Sequence, residues 1–425
     1  MVSDAYTPTS GDECYDVESY DLDLRYAVRT NHLEARATIN AVAAVDLRAV
    51  SLDLIGLRAS RVSVDGVLAT FKQGPRHLRV TSPHPIAAGE SFSLEVRYSG
   101  RPSPRRSTWG PIGWEELEEG SLVASQPIGA PTWFPCNDRP DNRASFTIAV
   151  TADTGYTVAA TGRRVAVTKQ GRATRWEFRS DVPTATYLAA VHVGPYREKA
   201  LGSATIFAPG GLLPRARRAL ADVPRMLACF ERVFGPYPQE ACTLVVTPDE
   251  LEIPLEAQGL AVFGVNHLAP EHERLIAHEL AHQWFGNSVG IGAWRDIWLN
   301  EGFACYSEWV WSEESGGPTV DDLAADAHTR LAGLPQDIVI GDPGAGDMFD
   351  DRVYKRGALT LVALRRLIGE DAFVRMVREW TAQHRHTLAT TADFIALAES
   401  TVGRAMGAFF DEWLHTRPLP PLPSA

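Results

Sequence analysis

The sequence predicts an α+β protein of two domains, a β-domain over residues 1–197 and a mainly helical domain over 198–425. Three observations predict it. A chain of 425 residues is long for one hydrophobic core, so two are the default. Residues 15 to about 195 show apolar residues alternating with polar ones, the period of a strand with one buried face. Beyond about residue 200 the apolar residues recur at helical spacing instead.

The elements follow in order. Tyr20, Leu22, Leu24 and Tyr26 alternate with polar residues, as do Phe92, Leu94, Val96 and Tyr98. Asp65-Gly66, between Val62/Val64 and Leu68, is a hairpin signal, because both turn positions need a positive φ. Gly171 marks a second turn between Val165/Val167 and Trp176/Phe178. Many short strands with turn residues between them indicate a sandwich or a large curved sheet. A helix is expected over 215–234 and a buried strand over 242–246, then helices over 270–286, 299–314, 319–332, 352–368, 371–384 and 391–415. Pro270 suits the first turn of the helix over 270–286, and Gly286 is placed to end it. The tail Pro418-Leu419-Pro420-Pro421-Leu422-Pro423 cannot continue a helix. It reads as a plain chain end, with a ligand for a proline-reading domain as the alternative.

Composition excludes several classes. Hydrophobic residues at 45% and charged residues at 22% describe a soluble globular chain. The formal charge of −12 argues against nucleic acid or an anionic membrane as the main partner. Lys occurs only at 72, 169, 199 and 355, the remaining basic residues being Arg. The start, Met1-Val2-Ser3-Asp4, lacks the charged and apolar regions of a leader peptide, and no apolar run reaches membrane-spanning length. Five cysteines (14, 136, 229, 242, 305) are scattered without a Cys-x-x-Cys pair, which fits a reducing cytoplasm. Cys136, in Trp133-Phe134-Pro135-Cys136, reads as a packing residue rather than a nucleophile.

The chemistry is concentrated at His278-Glu279-Leu280-Ala281-His282, followed after eighteen residues by Glu301. Positions i and i+4 of a helix share a face, so His278 and His282 can address one metal while Glu279 stands beside it. Glu301, returning on a second helix, supplies a third ligand. Three protein ligands leave a coordination position open for water, the arrangement of a catalytic rather than a structural zinc site. Glu308, two turns after Glu301, has two readings: an acceptor behind a ligand histidine, or a solvated surface carboxylate. Tyr354, on spacing alone, is as compatible with an ordinary buried tyrosine as with a catalytic one.

Trp294-Arg295-Asp296-Ile297-Trp298-Leu299-Asn300-Glu301-Gly302-Phe303-Ala304 resembles the third-ligand segment of the aminopeptidase N family of zinc metallopeptidases, the gluzincins, which also contain a leukotriene epoxide hydrolase. Four further segments agree in order: Gln126 to Phe146, Leu255 to Leu260, His278 to Gly286, and Tyr354-Lys355-Arg356-Gly357, similar to the family's Tyr-x-Lys-Gly. The resemblance spans nearly the whole chain. It implies a saddle-like antiparallel β-domain followed by a thermolysin-like zinc peptidase domain, in a short form lacking the helical C-terminal domain of long members. It implies one zinc held by His278, His282 and Glu301, Glu279 as general base, Tyr354 as partner of the oxyanion, and Glu256 with Gln126 as anchors of a substrate's α-amine.

The expected substrates are therefore peptides with a free N-terminus, with neither nucleic acid nor membrane as partner. The rival readings are a zinc hydrolase of another substrate, epoxide or endopeptidase, and an inactive zinc-containing binding module. One departure bears on substrate preference. The family's Gly-x-Met-Glu-Asn reads Ile253-Pro254-Leu255-Glu256-Ala257 here, so the Glu is kept while the Asn is lost. Pro254 also has no N–H to offer a ligand.

Overall fold

The structure, a computed structural model, describes residues 4–424. The reading made on Met1-Val2-Ser3 falls outside these residues. By compactness the chain divides into two units, Met1–Ala216 with Glu240–Val265, and Arg217–Gln239 with Asn266–Ala425.

The first unit is built on an eight-stranded sheet. Its order is Arg163–Gln170, Ala173–Ala185, Arg143–Asp153, Tyr15–Ala27, His32–Ala43, Ser91–Gly100, Arg58–Val64 and Val67–Leu68. The alternation predicts its buried face: Tyr20, Leu22, Leu24 and Tyr26 point inward, as do Phe92, Leu94, Val96 and Tyr98. Asp65-Gly66 makes the expected tight turn, with φ of 50° and 77° and Val64 opposite Val67. The sheet is antiparallel except where Tyr15–Ala27 runs parallel to Arg143–Asp153. That pairing sets Tyr20 beside Phe146, whose rings stack with centroids 5.0 Å apart.

Trp133 to Asp138 is a tie between distant strands. Tyr98 donates its hydroxyl to the Trp133 carbonyl at 3.0 Å, and Cys136, fully buried, bridges to Asp53. The Asn137 amide donates to the carbonyls of Asp12 and Tyr15, both at 3.1 Å. Asp138 accepts from the Thr186 hydroxyl at 2.7 Å; burial, then the neighbouring Asp53, pushes its carboxyl up to about 8.

The expected division at 197/198 falls inside a strand, Tyr196–Leu201, that pairs into a second sheet. This five-stranded sheet continues through Ala204–Pro209, Thr243–Val246, Leu260–Phe263 and Leu255–Ala257. Pairing therefore carries the first unit past residue 197 and draws in residues 240–265.

The helices are α1 (Leu213–Ala219), α2 (Val223–Phe234), α3 (Glu273–Ala281), α4 (Trp298–Glu314), α5 (Val320–Ala332), α6 (Asp351–Ile368), α7 (Glu370–Gln383), α8 (Thr391–Val402) and α9 (Gly407–Phe410). Two expected long helices are broken. The helix over 215–234 divides at 220–222 because Pro224 opens α2, where its missing N–H costs nothing. The helix over 391–415 divides because Gly403, at φ 66°, ends α8 in the left-handed conformation. Among the described residues no helix is long and apolar enough to cross a membrane.

The proline-rich tail is tied down. Arg356, 4% exposed, donates to the carbonyls of Glu412, Trp413, Thr416, Arg417 and Pro418 at 2.7–3.3 Å. His328 and Arg366 reach the carbonyls of Pro420 and Pro423, each at 2.8 Å. The carbonyls of Glu412 and Trp413, in the single turn Asp411–His415 that follows α9, thus find a side-chain partner.

Candidate metal centre

Helix α3 follows a single 3-10 turn, Pro270–His272, with Glu271 and Glu273 at its positive end. It ends at Ala281, earlier than expected. His282 keeps helical dihedrals as the C-cap, and its N–H still donates to the His278 carbonyl at 3.2 Å. That one extra residue preserves the i,i+4 relation, with the two rings 4.8 Å apart. Gly286 does not end the helix. At φ 108° it leaves room for Asn300 and His282: a Cβ there would lie 3.3 Å from the Asn300 amide and 3.6 Å from His282 Nδ1.

Glu301 enters from the first turn of α4. Its Oε2 lies 3.4 Å from Nε2 of both His278 and His282. One ligand atom from each of the three residues falls within 4.8 Å of the others, and all three side chains are buried. Among the described residues no other group of His, Cys, Asp and Glu has this closeness.

The outer nitrogens are already committed. His278 Nδ1 pairs with Glu308 Oε1 at 2.9 Å, and His282 Nδ1 donates to the Phe285 carbonyl at 3.0 Å. Such partners set the tautomer that leaves Nε2 as the lone-pair donor. Of the two readings of Glu308, the structure shows the acceptor: it is 6% exposed. Its other oxygen takes Arg274 Nη1 at 3.0 Å. Arg274 lies one turn before His278 on α3. The i−4 spacing was available in the sequence, but an Arg there reads equally as surface charge.

Electrostatics point the same way. Burial opposes charge at Glu301, yet the neighbouring His282 and His278 imidazoles override it and hold its carboxyl well below the usual carboxylate range. Burial also opposes charge on His278, and the Glu301 and Glu308 carboxylates override it, holding the imidazole above its usual range. These buried carboxylates therefore favour positive charge between the ligand atoms. Two imidazole nitrogens and one carboxylate oxygen, oriented from behind, fit a first-row divalent ion with an open position.

Tyr354 comes from α6, half-buried, its ring stacked on His278 at 6.0 Å and 13°. Helices α4 and α6 meet backbone to backbone. A Cβ on Gly357 would lie 2.8 Å from Gly302 Cα, and one on Gly302 would lie 2.9 Å from Gly357 Cα. This crossing sets the separation between Glu301, beside Gly302, and Tyr354, one turn before Gly357. Gly357→Ala should force the helices apart. Ala gains about 1 kcal/mol of helix propensity over Gly, and overpacking costs about 1–3 kcal/mol. We expect a net fall in Tm of a few degrees by calorimetry; a rise would show that the contact yields freely.

Glu279, 4% exposed, sits on α3 between the two histidines in sequence. Glu256 and Gln126 belong to the other compact unit. Glu256 is half-buried on the edge strand Leu255–Ala257, opposite Ala261, and Ile253 just before it is 62% exposed. Gln126 is half-buried just beyond the strand Gly120–Ala124.

Comparison with known proteins agrees with this architecture. Residues 16–188 match the Peptidase M1 N-terminal domain and residues 218–413 the Peptidase family M1 domain. A probable aminopeptidase 1 of Sulfurisphaera tokodaii is 26% identical over 87% of this chain and 49% of its own. A leucyl aminopeptidase of Saccharolobus solfataricus is 24% identical over 95% of this chain and 53% of its own. The chain thus spans about half the length of these relatives. An M1 zinc metallopeptidase mutant from Deinococcus radiodurans, solved with a Tyr-Ser-Ala substrate, is 31% identical over 99% of both chains, with a TM-score of 0.90. Yeast LTA4 hydrolase shares the fold, at a TM-score of 0.83 and 20% identity. With both domains matched in order and a full-length structural relative above 30% identity, the chain belongs to the M1 family of peptidases.

Proposed function

We propose that this protein is a zinc-dependent aminopeptidase that removes the N-terminal residue of peptides. The observation that carries the reading is the buried triad of His278, His282 and Glu301 with Glu279 on the same helix as the histidines. His278, His282 and Glu301 would hold a zinc ion, which would supply Lewis acidity for activating water and for polarising a substrate carbonyl.

The protein's own groups do the rest. Glu279 takes a proton from the attacking water and returns it to the leaving amine. The Tyr354 hydroxyl donates to the substrate oxygen as it becomes negative, where one lost donor typically costs about 3 kcal/mol. Glu256 accepts from the substrate's α-ammonium in a charge-assisted hydrogen bond, and Gln126 adds a neutral acceptor. Glu308 and the Phe285 carbonyl hold the two histidines in the required tautomer. The scattered thiols fit a reducing compartment, and we place the protein in the cytoplasm.

The test separates an aminopeptidase from other zinc hydrolases. A charge-assisted bond is worth about 1.5–3 kcal/mol. Glu256→Ala should therefore lower kcat/KM by about one to two orders of magnitude on an aminoacyl fluorogenic substrate, with zinc retained. N-acetylating the substrate should cost the parent enzyme a similar factor and the variant little more, because both changes remove one interaction. Equal cleavage of free and acetylated peptides by the parent would move the assignment to an endopeptidase or another hydrolase.

A further inference from the structure

Helix α6 carries Tyr354, and three contacts hold its first two turns. One is the backbone crossing of Gly357 on Gly302. A second is the Arg356 guanidinium in its cage of C-terminal carbonyls. The third is Lys355. Its ammonium donates to Cys305 Sγ at 3.1 Å, lies 3.9 Å from Glu308 Oε2, and lies 4.0 Å from Asp351 Oδ1. Cys305 and Glu308 both stand on α4, one and two turns after the ligand Glu301.

A close crossing at one point fixes how far apart two helices lie. The rotation of the first turn of α6, where Tyr354 stands, is set by side-chain contacts as well. Lys355 supplies a second point, one residue from Tyr354, and its side chain is only 21% exposed. The acceptor is stationary: Cys305 is fully buried in α4, and burial above all pushes its thiol up to about 12. It is an anchor for Lys355 rather than a nucleophile. An error of about 1 Å in a catalytic group can cost about 100-fold in rate, so the rotation of α6 is worth holding.

We propose that Lys355 is a positioning residue for Tyr354, holding the rotation of α6 against α4 through Cys305 and Glu308. The proposal rests on the peptidase reading above, in which Tyr354 meets the developing oxyanion. Lys355 itself touches none of the reacting atoms. It acts only by where it holds its neighbour.

The experiment uses the full-length zinc-loaded enzyme and the substitutions Lys355→Met and Lys355→Arg, each alone and combined with Tyr354→Phe. Lys355→Met keeps the apolar stem and removes the ammonium. It should lower kcat about tenfold with KM changed less than about twofold and with zinc content unchanged. Lys355→Arg, which can still reach both acceptors, should recover most of the loss. In the Tyr354→Phe background Lys355→Met should change kcat less than about twofold, since the group it positions is gone. In metal-free protein, amide exchange over 351–357 should be faster in Lys355→Met than in the parent.

Equal losses in the two backgrounds would overturn the proposal, as would zinc lost in proportion to kcat or unchanged exchange at the start of α6. A parent enzyme without peptidase activity would defeat the functional reading instead, while the exchange measurement would still judge Lys355.

Discussion

Glu279→Gln should yield a protein that binds zinc as the parent does and turns over almost nothing. Gln keeps the shape and volume of Glu, so the buried position on α3 is not disturbed. It cannot accept a proton. A positioned general base contributes about 100- to 10,000-fold. Glu279 is asked to act twice, on the water and on the leaving amine, so we expect the upper part of that range, a fall in kcat of about 1,000- to 10,000-fold. That is about 4–5.5 kcal/mol of barrier. The measurement pairs kcat and KM on an aminoacyl substrate with metal analysis of the same preparation. KM should stay within a few-fold, since the binding groups are untouched. A fall of less than about tenfold would remove Glu279 from the base role. Loss of metal with activity would make it a structural residue of the site.

The clustering of His278, His282 and Glu301 was legible in the sequence because helical spacing converts directly into geometry. Two histidines four apart must share a face, and the outcome survives even though α3 stops at Ala281, since His282 retains helical dihedrals as its cap. Strand alternation was legible for the same reason: a period of two decides which side is buried. The supporting contacts were not. Arg274, Lys355 and the Phe285 carbonyl matter through where distant elements cross, and the crossing of α4 on α6 depends on two glycines 55 positions apart, Gly302 and Gly357, neither of which has a local period to betray it. The breaks after α1 and α8 were missed because apolar spacing carries on across them while Pro224 and Gly403 redirect the backbone. The contacts of the tail were not legible because its anchors, Arg356, His328 and Arg366, lie on α5 and α6 and bond to its carbonyls, which every residue has.

Removing a ligand should abolish metal binding more completely than any change behind it. Loss of an outer partner such as Glu308 typically costs 10- to 100-fold in affinity, so His282→Ala, which deletes a donor atom, should weaken zinc binding by at least about 100-fold. Two readings check this independently of turnover. Metal analysis after dialysis should give about one zinc per chain for the parent and little for the variant. Thermal unfolding supplies the second. Zinc at about 100 times the parent's Kd should stabilise it by about 2.7 kcal/mol through mass action, or about 5–10 °C in Tm for a unit of this size. The same zinc concentration is then no more than about the variant's Kd, and the rise shrinks to about 1 °C. The variant also leaves the buried Phe285 carbonyl without the His282 Nδ1–H that it accepts, which costs about 1–3 kcal/mol whether metal is present or not. A lower Tm in both conditions is therefore expected, and the informative quantity is the difference that zinc makes. If His282→Ala kept one zinc per chain and the parent's full rise in Tm, the metal would be held elsewhere and the proposed mechanism would lose its centre.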